Sequence, residues 1–427
     1  MRFLNCFAVI GILLCPSTGQ GKTIEDPELS PQNVVESIEL SQTWLNTFQK
    51  DDGLYHYIFR PWGYTPDKDD SLYHQTNKNA APGQTVKPPR IEQVIPYPDD
   101  DNIVRQILSY WALIKSTDFK NNDQIMANIK NFEDGLEKYI VIQDSEYGPA
   151  LFVQFRETMK VNSTALYLAA LLSKKDRGLP LSKTQENHIE YAVNGLKVFA
   201  APEAGFYYYH DTDRINFISS YGSGEAQLAL AQYVNKTKDE DLYQSIQKRF
   251  DEYFNLYYAN SFSNPMSYRD KMRIGYHTWA LYYLNEIDKF KPVDYEKYVR
   301  PLVQYSFDFK KENEYCANNP CIYSMAMWDS SSVEGLAAAY PLILKYEKDP
   351  EFKKQVKAYL DDAVSYLLTL QVNSVEEYEE KTEKTFKNNP DHLIGGFCDW
   401  PDCPYMRNEV TMHVAAALMA YYNLFYR

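Results

Sequence analysis

The sequence predicts an all-α fold in which helical hairpins close into a ring around one central cavity. Three observations predict it. Apolar residues recur with helical period along most of the chain, Ala/Leu-rich helices alternate with Lys/Glu/Asp-rich ones, and a Gly-aromatic step recurs where one kind gives way to the other.

Ahead of the first helix, Arg2 is followed by an apolar run from Phe3 to Cys15, broken only by Asn5, and then by Pro16-Ser17-Thr18-Gly19-Gln20-Gly21. This is the pattern of a secretory signal peptide over residues 1–21, with an apolar stretch too short to span a bilayer. Leu14 and Pro16 flank Cys15 where a lipidation signal prefers small residues, so no stable membrane anchor is expected. The mature chain, 22–427, is expected to be secreted or periplasmic and to form a single domain.

Helical periodicity marks residues 32–48, 100–117, 122–142, 160–173, 183–199, 222–235, 239–258, 272–288, 293–312, 331–347, 350–372 and 408–425, and nothing comparable reads as a sheet. The segments 160–173, 222–235, 331–347 and 408–425 are Ala/Leu-rich, as buried inner helices are. Those at 122–142, 183–199, 239–258 and 350–372 carry charge over a narrower apolar stripe, as outer helices do. The steps between them include Gly53-Leu-Tyr-His-Tyr57, Gly205-Phe-Tyr-Tyr-Tyr209 and Gly396-Phe397, with Gly148-Pro-Ala-Leu-Phe152 a weaker copy. A repeated hairpin that cannot bury its own apolar face must stack on its neighbours. The last helix is among the most apolar and needs a cover, so six pairs are expected to close as an (α/α)6 toroid with short extended segments at the junctions. Residues 63–98, rich in Pro, Asp, Lys and Asn, read as a long loop or lid, and Glu376 to Asp391 as a charged, solvated insertion.

A net charge of −14 and a pI near 5.1, with no Lys/Arg stripe, exclude nucleic acid and anionic membranes as partners. The 37 Tyr against 6 Trp supply flat faces with hydroxyl groups, which suits a carbohydrate partner as well as plain helix packing. Cys316-x4-Cys321 and Cys398-x4-Cys403 read, in an exported chain, as two local disulfides, with other pairings formally open. No nucleotide-binding, serine-hydrolase or zinc-peptidase motif is present, and neither a metal nor another cofactor is expected; the sequence leaves the oligomeric state open.

In a ring of hairpins the inner helices start on one face, so their first turns converge on the cavity mouth. These starts contain Asp99 to Arg105, Asn162-Ser-Thr164, Tyr221-Gly-Ser-Gly-Glu225, Gly275-Tyr-His-Thr-Trp279, Trp328-Asp-Ser-Ser-Ser-Val-Glu334 and Arg407-Asn-Glu-Val-Thr-Met-His413. Much of this polarity is ordinary capping, and Ser331-x-x-Glu334 reads as a capping box. Capping does not demand Arg105, Glu225, His277, Arg407 or His413, and ionisable groups among Ala and Leu must pair or face a wet cavity. In Arg407-x-Glu409-x3-His413 the last two residues are one turn apart and able to share a proton. Glu225, Glu409 and His413 are the catalytic candidates. Arg105, Arg407, Asp100, Tyr221, His277, Trp279, Trp328, Asp329 and Glu334 are the substrate-binding candidates. The inward expectation for Asn162 argues against glycosylation of its Asn-x-Thr motif.

On these residues the chain resembles the six-hairpin toroid carbohydrate-active enzymes, and more narrowly bacterial toroids similar to glucuronyl C5-epimerases. The matching stretches are Asp101 to Gln106 with Tyr110-Trp-Ala-Leu113, Asn162 to Leu166, Gly224 to Leu230, and Gly395-Gly-Phe397 followed by Arg407-x-Glu409-x3-His413. Glu409 stands where such sequences more often carry Asp. The resemblance implies the toroid fold and a carbohydrate ligand without naming a reaction. The expected function is cleavage of glycosidic bonds in a poly- or oligosaccharide. A uronate lyase or C5-epimerase, and a non-catalytic glycan- or protein-binding toroid, are the alternatives.

Overall fold

The structure, a computed structural model, describes residues 29–56, 58–59, 102–155, 158–202, 204–210, 217–257, 274–307, 325–382, 385–386, 390–399, 403 and 406–427. The signal peptide, the 63–98 segment, Asp100, Cys316 and Cys321 lie outside these residues.

Six helices form the inner layer: α2 (Ile103–Ser116), α4 (Val161–Asp176), α6 (Ser220–Thr237), α8 (Ile274–Asp288), α10 (Met325–Tyr346) and α13 (Asn408–Phe425). Each packs on the next in this order, and α13 packs back on α2, so the ring closes. Around it stand α1 (Pro31–Thr47), α3 (Asp123–Glu137), α5 (Lys183–Phe199), α7 (Glu240–Tyr257), α9 (295–307, opening with a π-helical turn) and α11 (Pro350–Thr369). The fold is the expected (α/α)6 toroid. Composition explains the layering. In α4 every residue from Val161 to Lys174 is buried, whereas α3 buries only Ile125, Asn128, Ile129, Phe132 and Leu136 along one stripe.

Four junctions between outer and inner helices share one hydrogen-bond pattern. The pairs Gln49↔Tyr55, Ala200↔Phe206 and Gln371↔Phe397 are single antiparallel bridges, and the helix before each hands over through a glycine at positive φ, Gly53, Gly205 and Gly395. Beside the bridges, Lys50 N–H donates to the Leu54 carbonyl, Ala201 to Gly205 and Val372 to Gly396. In the fourth junction the same pairing is drawn out into a hairpin, β2 (Ile140–Ser145) with β3 (Gly148–Phe155), to which β4 (Thr158–Met159) adds. This sheet corrects the all-helical reading of 122–142: the helix stops at Glu137 because Ile140-Val-Ile142 is β-branched and Gly148, at φ 93°, allows a two-residue turn.

Each junction is pinned by a polar side chain near the start of the next inner helix. The amide of Gln106 accepts from Tyr55 N–H at 2.6 Å and donates to the Tyr55 carbonyl at 2.8 Å. The hydroxyls of Thr164, Ser223 and Thr411 accept from the backbone N–H of Val153, Phe206 and Phe397. Buried backbone that would otherwise lack a partner is thus satisfied.

The chain ends meet at a seam. β1 (Ile58–Phe59) pairs antiparallel with β5 (Met406–Arg407), Gln371 Nε2 donates to the Ser37 and Gly395 carbonyls, and Trp44 Nε1 donates to the His392 carbonyl. A second core of Trp44, Leu45, Phe48, Val372, Tyr378, Phe386, Leu393 and Met406, with the Cys398–Cys403 disulfide, fills this seam. The stretch from Glu376 to Asp391 is therefore not a merely solvated insertion. It forms α12 (Val375–Thr382), and Tyr378 is fully buried because the Gln371↔Phe397 bridge ties the insertion down at its base.

A β-carbon on Gly395 would lie 2.3 Å from the Leu40 carbonyl oxygen, at a φ of 94° that L side chains avoid. Gly395→Ala is expected to cost at least about 2 kcal/mol in denaturant unfolding; an unchanged midpoint would contradict the seam as drawn.

Candidate functional site

The repeated anchors fix the register of the inner helices. Aligning Gln106, Thr164, Ser223 and Thr411 places Asn162, Tyr221 and Glu409 at one level, and Leu108, Leu166, Glu225 and His413 about one turn deeper. The charged groups of α6 and α13 therefore occupy positions that α2 and α4 fill with leucine.

Glu225 is 5% exposed and accepts a hydrogen bond from Asn162 Nδ2. Burial pushes its carboxyl up to about 7, and neither the Asn162 bond nor the nearby charge of His413 cancels that. Gly222 and Gly224 let α6 come this close to its neighbours: a β-carbon at Gly222 would meet Val161 Cγ1 at 2.4 Å, and one at Gly224 would meet Trp279 Cβ at 2.6 Å. The Gly-x-Gly of the sequence is a packing device.

Glu409 sits between two cations, bonded to Arg105 from α2 through one oxygen and to Arg407 Nη1 through the other at 2.5 Å. Arg407 also reaches the fully buried Asp399 with Nε at 2.9 Å and Nη2 at 2.6 Å. The Arg105 side chain is 32% exposed and Arg407 18%, against 7% for Glu409, so the guanidiniums are more open to solvent than the carboxylate they share.

His413 does not share its proton with Glu409 as the one-turn spacing suggests. Its Nδ1 meets Glu334 Oε1 at 2.6 Å, and Tyr282 OH donates to Glu334 Oε2 at 3.1 Å. Burial opposes charge on the imidazole, but Glu334 outweighs it through charge and hydrogen bond, with Glu409 and Glu225 adding to the effect, and the pKa of His413 is raised above its ordinary value. Glu334 is thus no cap. α10 begins at Met325, two turns before Ser331, so the predicted capping box lies inside the helix.

Below this group of polar side chains, the cup, aromatic rings from the described inner helices meet across the ring. Trp111 of α2 and Trp279 of α8, from opposite sides of the ring, stack with centroids 6.2 Å apart. Lys115 lies with Nζ 3.7 Å from the Trp111 ring centroid, and burial lowers it to about 8 despite the pull of Glu334. Lys115 and Tyr282 are not among the sequence candidates; the one signal the sequence carries for Lys115 is a lysine in the last turn of an apolar helix.

Three sequence candidates stand elsewhere. His277 is fully buried and stacks on Tyr305 of α9 at 3.9 Å; two residues from the axial Trp279, it is turned roughly 200° round the helix and faces the outer layer. Asp329 is half-buried, and its charge acts on Tyr359 and Tyr366 of α11. Trp328 beside it is buried. Tyr221 is half-buried at the Glu409 level. Among the described residues, no cluster of three or more His, Cys, Asp or Glu is arranged to hold a metal ion, and no helix is long and apolar enough to cross a membrane.

No protein-family profile and no curated protein matches the sequence. Solved structures do. Cellobiose 2-epimerase from Bacillus thermoamylovorans B4167 superposes with a TM-score of 0.55 at 11% identity, over 92% of this chain and 99% of that one. An unsaturated glucuronyl hydrolase specific for heparin gives 0.55 at 10% identity, over 92% and 98%. A family 76 glycoside hydrolase from a bovine Bacteroides thetaiotaomicron strain gives 0.53 at 11% identity, over 92% and 78%. The chain shares its toroid fold with these carbohydrate-active enzymes.

Two outcomes are expected of the cup. The folded-state value of Glu225, about 7, lies above its ordinary 4.5, so its stabilising contribution is complete below about pH 4.5 and lost as pH rises through about 7. Glu225→Gln should therefore unfold with a flatter pH dependence, the difference from the parent reaching about 3 kcal/mol across that window. Separately, Glu334→Gln should lower the pKa of His413 in an NMR titration, and an unmoved value would remove Glu334 as its partner.

Proposed function

We propose that the protein is an exported carbohydrate-active enzyme that cleaves glycosidic bonds of a poly- or oligosaccharide in the central cavity. The observation that carries this reading is the unequal pair of carboxyls in the cup. Glu225 is buried beside an amide and holds its proton close to neutral pH, whereas Glu409 is ion-paired between two guanidiniums. Glycoside hydrolysis needs one protonated and one ionised carboxyl about the scissile bond.

Glu225 is the proton donor to the leaving oxygen. Glu409 is the charged partner and holds Arg105 and Arg407 toward the substrate. His413, whose charged form Glu334 favours, adds a third donor beside them. The Cys398–Cys403 disulfide suits the oxidising compartment that export implies. Neighbouring folds that handle sugars support the substrate class by analogy.

The two partly exposed guanidiniums favour a second reading, a lyase or C5-epimerase acting on uronates, in which they neutralise the sugar carboxylate.

A screen of polysaccharides for new reducing ends and for absorbance from a new double bond tests both. Hydrolysis is expected, with rates falling as pH rises above about 7 and Glu225→Gln losing at least about a hundredfold in kcat. Absorbance from an unsaturated product would sink the hydrolase reading, and full activity in Glu225→Gln would remove it as the acid.

A further inference from the structure

The junction before α6 carries aromatic surface that neither the core nor the cup uses. Phe217 is 52% exposed, an unusual state for a side chain fixed at both its backbone and its ring. Its carbonyl accepts from Tyr208 N–H at 2.9 Å, the next residue Ile218 bridges Tyr207, and Ser219 then caps α6. The Phe217 ring lies nearly parallel to Tyr208, with centroids 5.1 Å apart, and Tyr209 meets both rings edge-on. Tyr208 covers one face of Phe217 and the exposure belongs to the rest of the ring.

This aromatic pile stands on the mouth side of the ring. The Tyr208 carbonyl accepts from Val161 N–H at the start of α4, and Lys160 Nζ lies 5.5 Å from the Tyr208 ring. The two helices it touches are those that supply Asn162 and Glu225 to the cup, and the charges of Glu225 and Arg105 both act on the Tyr208 hydroxyl.

We propose that Phe217, backed by Tyr208, is a stacking platform for a pyranose ring of the substrate chain, forming a binding subsite at the cavity mouth beyond the cup. The apolar face of a pyranose covers such a ring while its hydroxyls stay in water, and Tyr208 and Lys160 supply polar groups at the rim. A second aromatic ring behind the platform holds it flat, so little ordering cost falls on binding. The proposal rests on the carbohydrate reading of the cup and adds to it that the substrate extends past the reacting unit on the α4/α6 side.

The test measures binding alone, with the full chain carrying Glu225→Gln to prevent turnover. Affinity electrophoresis through gels containing a mannan, a β-glucan, pullulan, alginate or chondroitin gives a dissociation constant for whichever polymer retards the protein. Adding Phe217→Ala is expected to weaken that constant at least about fivefold, while Phe217→Trp retains it. Phe217 is exposed, and an unchanged melting curve for Phe217→Ala would exclude loss of fold as the cause. Unaltered retardation in a folded Phe217→Ala overturns the platform and leaves the cup reading intact. Retardation by none of the polymers overturns the carbohydrate reading and the platform together.

Discussion

The bridge from Arg105 through Glu409 to Arg407 is the interaction on which the site depends. Arg105 belongs to the first inner helix and Glu409 to the last, so the bridge spans the place where the two ends of the ring meet. Arg407 adds a backbone role, pairing from β5 with Ile58 of β1 and preceding α13 as its N-cap residue. A ring made of hairpins can close by hydrophobic contact alone, but contact does not fix register. Here closure is specified by charge, and the charges left partly open by that closure are the ones that line the cup. Removing Glu409 would take away the carboxylate that Arg105 and Arg407 share, while Arg407 keeps Asp399, so fold and site are coupled at this residue.

The ring itself is built from one solution used repeatedly. An outer helix ends, a residue pairs across a short bridge, and the next inner helix offers a hydroxyl or amide to the bridge backbone. Because the bridge is satisfied at its base, what lies between its two sides is unconstrained by the ring. The Gln49↔Tyr55 and Ala200↔Phe206 bridges enclose a few residues, β2 and β3 extend theirs as a hairpin, and Gln371↔Phe397 encloses a helix with its own core contacts. Insertions of very different length thus sit on the mouth of one unaltered scaffold.

Much of this was legible in the sequence, because periodicity reports burial directly. Helices with apolar residues all round are inner and striped ones outer, and the recurring glycines mark the bridges. Local pattern was least informative where the partner is remote. Ser331-x-x-Glu334 has the form of a cap, yet Glu334 is held by Tyr282 and His413, 52 and 79 residues away. Glu409 and His413 look like a pair because they are one turn apart, but Glu409 is held by Arg105 and Arg407 and His413 by Glu334. The polarity of Thr164, Ser223 and Thr411 looked like capping or chemistry and is spent on the junctions instead. His277 shows that position along a helix is easier to infer than phase around it. The sheet was lost because its first strand continues the apolar content of α3 without the two-residue alternation that separates strand from helix.

The Trp111–Trp279 stack turns the torus into a cul-de-sac. A ring suggests a thoroughfare through which a polymer could be threaded, but among the described residues two indoles from opposite walls meet across the ring with Lys115 against one of them. On the proposed reading, a unit detached at the cup would leave by the route along which the rest of the substrate entered.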